Sequence, residues 1–289
     1  MIGHPMRSVP LIAALAAACS SSGASLDGYV KIDDMENGGK TIEWLPPDGP
    51  LAGVWVTTTD CTEVERISPP PEYLGTGGWF YAELPAPYET FSGVHSTHAA
   101  RLRTTSPLTS VWGASMGFDL GPTPGGMRPT APDGVLPVMP ACPPPDILDY
   151  PGMPVDLSAY RGLTFWAMAG GGERTLEVQI QDLNVDPRAG ICNAADPRDE
   201  TDCYNHFRTP LVLTDTMTRY TVDFSAMQQN QTWGYRPNPD VPDLQRVYAI
   251  WFEVDQADCG QGPNMMCAGG SAPPLALDVW IDDLYFVKK

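Results

Sequence analysis

Positive charge is scarce in this chain: lysine and arginine number 17 against 35 aspartates and glutamates, for a formal net charge of −18. A field of that sign repels phosphates, which argues against nucleic acid or an anionic lipid surface as partner and leaves cations and neutral polymers. The same acidity also serves solubility alone. Histidine is rarer still, with four in 289 residues. His95 and His98 stand three apart, and no CxxC pair or HExxH helix accompanies them, so a zinc centre has no ligand set to build on. A GxSxG elbow, a phosphate-binding loop and a dinucleotide fingerprint are also missing. Serine hydrolysis, phosphoryl transfer and hydride transfer lose their usual signatures, and a non-catalytic role is the expectation. An acid pair for hydrolysis of an envelope glycan stays open, because its spacing is a property of the fold.

Long hydrophobic runs are lacking as well. Residues 1–18 put Arg7 ahead of an apolar run from Leu11 to Ala18, too short to span a bilayer and laid out as a secretory signal. Its end, Leu15-Ala16-Ala17-Ala18-Cys19, resembles a bacterial lipobox, with Ala16 where leucine is usual. The resemblance implies diacylglycerol on Cys19, hence a membrane partner through the anchor. Ser20 resembles the sorting signal for the outer membrane, on its periplasmic or cell-surface side. An ordinary signal-peptidase cut after Ala18 is the alternative. Residues 19–28, rich in serine, read as a flexible tether.

Seven cysteines leave one odd thiol in a compartment where thiols pair, and Cys19 is the natural odd one. Sequence proximity then suggests Cys192 with Cys203 and Cys259 with Cys267, leaving Cys61 with Cys142. Six cysteines allow 15 pairings, so connectivity stays a hypothesis.

Turn formers are abundant, with 28 glycines and 31 prolines, and no convincing amphipathic helix interrupts them. Short apolar and β-branched runs predict strands near 29–32, 53–58, 79–84, 99–104, 112–119, 163–169, 175–181, 207–213, 219–224, 247–254 and 277–286, enough for an all-β, two-sheet sandwich with long Pro/Gly-rich loops. Leu176, Val178 and Ile180 alternate with Glu177, Gln179 and Gln181, so one sheet has a polar outer face. Leu163–Ala169 and Tyr248–Phe252 are apolar on both sides, which assigns Trp166 and Trp251 to the core along with Trp280. Residues 121–154 hold eleven prolines and read as a loop inserted in a domain of residues 29–289, with a domain boundary as the alternative.

Three motifs carry a family resemblance: Asp33-Asp34-Met35-Glu36-Asn37-Gly38, the run from Asp156 to Ala167, and Val279-Trp280-Ile281-Asp282-Asp283-Leu284-Tyr285-Phe286. They are similar to galactose-binding-like jelly rolls, closest to family-11 carbohydrate-binding modules. The resemblance implies a glycan or polysaccharide ligand. It also implies a structural calcium where the first and last strands meet, with Glu36 and Asp282 as ligands and Asp34 and Asp283 as further oxygen donors. Ca²⁺ takes six to eight hard oxygens, so two carboxylates and nearby carbonyls would suit it; turn and edge chemistry is the rival account of the same acids.

Sugar-binding sheets need flat rings for pyranose faces and amides or carboxylates for hydroxyls. Gln179, Gln181, Asp182 and Asn184 offer the polar groups, and Tyr204, His206, Trp233 and Tyr235 the rings. Trp233 and Tyr235 could equally be loop anchors. A structural or adhesion lipoprotein that meets a protein partner with the same sandwich is the competing function.

Overall fold

The computed structural model describes residues 26–39, 41–45, 53, 55–59, 67–68, 81–90, 95–104, 114–121, 153–186, 189–192, 202–254 and 276–289. The signal, the lipobox with Cys19, Cys61, Cys142, Cys259, Cys267 and residues 122–152 of the proline-rich segment lie outside them.

The described strands in chain order are β1 (Tyr29–Asp33), β2 (Trp55–Thr59), β3 (Ile67–Ser68), β4 (Tyr81–Glu89), β5 (His95–Thr104), β6 (Ala114–Asp119), β7 (Tyr160–Ala169), β8 (Arg174–Asp182), β9 (Phe207–Leu213), β10 (Thr218–Asp223), β11 (Val247–Val254) and β12 (Asp278–Lys288). They form two antiparallel sheets packed as a jelly-roll sandwich. One sheet of seven runs β10-β7-β12-β5-β3, with β1 also on β12 and β4 also on β5; the other, of five, runs β2-β6-β11-β8-β9.

Period-two alternation sorts each strand between a shared core and an outer face. Leu163, Phe165, Ala167 and Ala169 of β7 and Ile250, Phe252 and Val254 of β11 point inward and are fully buried. Phe165 meets Phe252 across the two sheets at 5.3 Å, edge to face, and Trp55 of β2 packs on Phe118 of β6 at 5.0 Å. Edge-to-face pairs add to area burial because the positive ring edge meets the negative face.

The tryptophan assignment needs correction at two positions. Trp166 and Trp251 fall on the outer faces and are only half-buried, because the alternation that buries Phe165, Ile250 and Phe252 turns their neighbours away from the core. Trp280 is buried, but in a separate cluster with Leu84 and Ala99 on the outer face of the seven-stranded sheet. Gly121 and Met153 lie against each other: a Cβ on Gly121 would stand 1.9 Å from the Met153 carbonyl. The proline-rich segment therefore leaves and re-enters the sandwich at one place.

Candidate functional site

Antiparallel register builds a row across the outer face of the five-stranded sheet. Val56 of β2 is opposite Gly117 of β6, Gly117 opposite Trp251 of β11, Trp251 opposite Gln179 of β8, and Gln179 opposite Arg208 of β9. With strands about 4.8 Å apart, such a row is about 19 Å long. A parallel row holds Ser115, Glu253, Glu177 and Pro210. Glycine at 117 is required here: a Cβ would meet Trp251 ring carbons at 2.7 and 2.8 Å and the Ile250 carbonyl at 2.4 Å. The indole thus rests directly on the β6 backbone.

The polar groups around that ring fix one another. Trp251 Nε1 donates to Gln181 Oε1 at 3.0 Å. Arg208 Nη1 pairs with Glu177 Oε2 at 2.8 Å, and Gln179 Nε2 donates to the same oxygen at 3.4 Å. Gln179 is only 2% exposed and Gln181 8%, so both orient their neighbours more than they reach solvent. Half-buried Trp251, Glu253 and Arg208 and exposed Pro210 are the accessible members of these two rows. Trp251 and Arg208 went unseen in the sequence, although Ala249, Trp251 and Glu253 alternate with Ile250, Phe252 and Val254 and carry the signal.

The remaining expected ligand residues gather in loops at the end of β8. Asp182 is fully buried and accepts from the backbone N–H groups of Asn184, Val185 and Asp243; it ties two loops together, and burial raises its carboxyl above the usual range. Asn184 bonds Asp182 through its backbone and also through its side chain. The Cys192–Cys203 disulfide closes the next loop, as proximity suggested, and presents Tyr204, 38% exposed and at φ +70°, edge to face with His206 at 6.2 Å. Asn205 Nδ2 donates to the carbonyls of Asn230 and Trp233, and Tyr235 N–H donates to the Asp202 carbonyl at 2.8 Å. Tyr204, His206, Trp233 and Tyr235 therefore share one tied loop assembly, while Gln179 and Gln181 belong to the sheet face.

The acidic positions expected to hold calcium are brought together as well. Glu36 Oε1 accepts from Thr97 N–H at 2.8 Å and His98 N–H at 2.9 Å, and Oε2 accepts from Thr97 Oγ1 at 2.7 Å. Burial alone would raise this carboxyl, but the bonds from Thr97 and His98 outweigh it and hold it down at about 2. Ser96 Oγ stands 3.0 Å from Glu36 Oε1 and 2.5 Å from Asp282 Oδ2, and Tyr88 OH donates to that same Asp282 oxygen at 2.8 Å. A cation needs lone pairs aimed inward, whereas Glu36 already takes two backbone N–H groups and the Thr97 hydroxyl. Glu36 so engaged does not fit Ca²⁺, although Asp283 Oδ2 nearby is buried without a hydrogen-bond partner. Asp34 pairs with Lys31 at 2.9 Å, and Lys31 also contacts Glu43, while Asp33 of the same cluster accepts from Trp55 Nε1, Tyr81 OH and the Met35 N–H. Burial pushes Asp282 up to about 7 and Asp283 to about 6.

No protein-family model matches this chain, and no curated protein matches it. Among solved structures it is similar to the family 11 carbohydrate-binding module of the cellulosomal cellulase Lic26A-Cel5E of Clostridium thermocellum, at 10% identity over 91% of this chain and 95% of that one, with a TM-score of 0.38. It is similar to the solution structure of CtCBM11, at 10% identity over 93% and 98% of the two chains, with a TM-score of 0.40. A third likeness is TmCBM61, solved with β-1,4-galactotriose, at 9% identity over 91% and 99% of the two chains and a TM-score of 0.33.

Proposed function

We propose that this domain binds a neutral glycan on the outer face of its five-stranded sheet and does not cleave it. The observation that carries the reading is Trp251, whose indole lies against Gly117 with its N–H taken by Gln181. A ring held flat on a sheet offers its face to the C–H surface of a pyranose, and the Glu177–Arg208 pair and Glu253 on the next row offer acceptors and donors to hydroxyls. Glu177 is engaged by Arg208 and Gln179 rather than poised as an acid, which favours binding over catalysis. The net charge of −18 favours uncharged sugars over uronates or sulfated chains.

A glycan array, followed by calorimetric titration of the best ligand, tests the reading. Trp251→Ala should weaken binding on the order of tenfold or more, while Trp233→Ala separates the sheet face from the loop assembly. Unchanged affinity in Trp251→Ala would remove the site from this face. Release of reducing ends during incubation would replace binding with hydrolysis.

The lipobox-like Cys19 supports a further part of the proposal, attachment to the outer membrane. Among the described residues no helix is long and apolar enough to cross a membrane; the attachment proposed is a lipid on Cys19. Palmitate labelling that persists in Cys19→Ser would sink it.

A further inference from the structure

The last strand changes neighbour part-way along its length. β12 pairs with β5 through Asp278–Ile281 and with β1 through Leu284–Val287. Asp282 and Asp283 fall at the handover, where the ladder to β7 also shifts register and Asp283 takes φ +53°. A handover of this kind leaves β-ladder groups without strand partners, and buried N–H and C=O groups need substitutes. The substitutes are side chains. Glu36, three residues past β1, accepts from the backbone of Thr97 and His98 on β5 and so bridges the two strands that share the edge of β12. Ser96 Oγ sits between Glu36 and Asp282 and is also 3.0 Å from the His98 carbonyl. Tyr88 reaches over from β4, packs tilted against Trp166 at 4.9 Å and meets Asp282 with its hydroxyl.

We infer that this seam is closed by a metal-free clasp, in which Ser96 joins Glu36 to Asp282 and Tyr88 covers Asp282, in place of the calcium that the resemblance implies. The geometry gives the reason. A bound cation draws carboxylates in by their lone pairs and repels the positive ends of N–H dipoles, yet two N–H dipoles point at one oxygen of Glu36. The clasp links β1, β4, β5 and β12: Glu36 accepts two backbone N–H groups of β5, Asp282 accepts the Tyr88 hydroxyl, and the single Ser96 proton serves one of its oxygen neighbours at a time. It stands apart from the glycan reading, since it lies on the other sheet.

The test uses the full chain. Elemental analysis after dialysis against EDTA, and melting with EDTA or with added CaCl₂, should show no stoichiometric calcium and one melting temperature under all conditions. Ser96→Ala and Tyr88→Phe should each lower that temperature by about 2–6 °C, with the loss unaffected by CaCl₂. If Ser96→Ala does not fold, Tyr88→Phe, which removes only a hydroxyl, carries the comparison. Stoichiometric calcium, a melting temperature that falls with EDTA and returns with CaCl₂, or a Tyr88→Phe protein that melts like wild type would overturn the clasp.

Discussion

Trp251 and Trp280 occupy similar places, each in a central strand and each on an outer face, but their surroundings differ. Trp251 is half-buried on a glycine, with its N–H satisfied by Gln181. Trp280 is 3% exposed, packed with Leu84 and Ala99, and lies under Arg101 at 4.1 Å. Arg101 is itself clamped by two bonds to Asp278, at 2.7 and 2.8 Å. On the seven-stranded sheet the β4 segment from Leu84 to Tyr88 supplies this cover: the ladder to β5 skips from Glu83 to Tyr88, so the intervening residues bulge over the face. An aromatic ring that a bulged strand covers stabilises the sandwich, whereas a ring left on polar neighbours is available to a ligand.

The sharpest way to break that contrast is to truncate both rings. Trp280→Ala should cost about 3–5 kcal/mol in urea unfolding, the range for large buried aromatics, and leave glycan affinity intact in the folded fraction. Trp251→Ala should cost less than about 1.5 kcal/mol, because a half-buried ring has less to lose, while affinity falls. Equal stability losses would erase the distinction between the two faces.

Most of the sandwich was legible because strand periodicity is local. The alternation in Leu176 to Gln181 and the apolar run of β11 located strands that the structure places in those positions. β3, of two residues, has too short a pattern to read. The outward placement of Trp251 was misread for a physical reason: an apolar ring on the outer face of a strand looks identical in sequence to a second core face. The clasp was half legible, since the resemblance brought Glu36 and Asp282 together. What fills the space between them depends on Ser96, 60 residues from Glu36 and 186 from Asp282, and on Tyr88, 194 from Asp282, and contacts at such range leave no periodic trace.

The acids at the seam set the seven-stranded sheet apart in a second way, through pH. Burial raises Asp282 to about 7 and Asp283 to about 6, while an unfolded aspartate titrates near 4, about where model peptides do. Between those values the folded chain binds more protons than the unfolded one. Stability from this pair is therefore full below pH 4 and is lost as pH rises through 6 and 7. Glu36, held at about 2, works in the opposite sense and loses its contribution as pH falls below about 4. The expected outcome is a maximum at about pH 4 and a loss of several kcal/mol toward pH 8. Thermal melts of wild type and Asp282→Asn should show the alkaline slope flattened in the variant; parallel curves would remove the seam as its source.

The smallest change that separates the faces is a single methyl group on the five-stranded sheet. In Gly117→Ala the new Cβ would stand 2.4 Å from the Ile250 carbonyl and 2.7 Å from the nearest Trp251 ring atom, both well inside contact distance. The ring can swing away, but the carbonyl belongs to a ladder strand, so its 2.4 Å clash is relieved only by moving β6 against β11, at about 1–3 kcal/mol of overpacking or more. Lifting the indole also strains its 3.0 Å bond to Gln181 and tilts the surface on which a sugar would rest. Affinity should fall nearly as far as in Trp251→Ala, with a larger loss of stability than in that variant because the backbone of β6 must shift against β11. If Gly117→Ala binds as wild type does, then the flat seating of Trp251 is a packing detail and recognition belongs to the loop assembly of Tyr204 and Trp233.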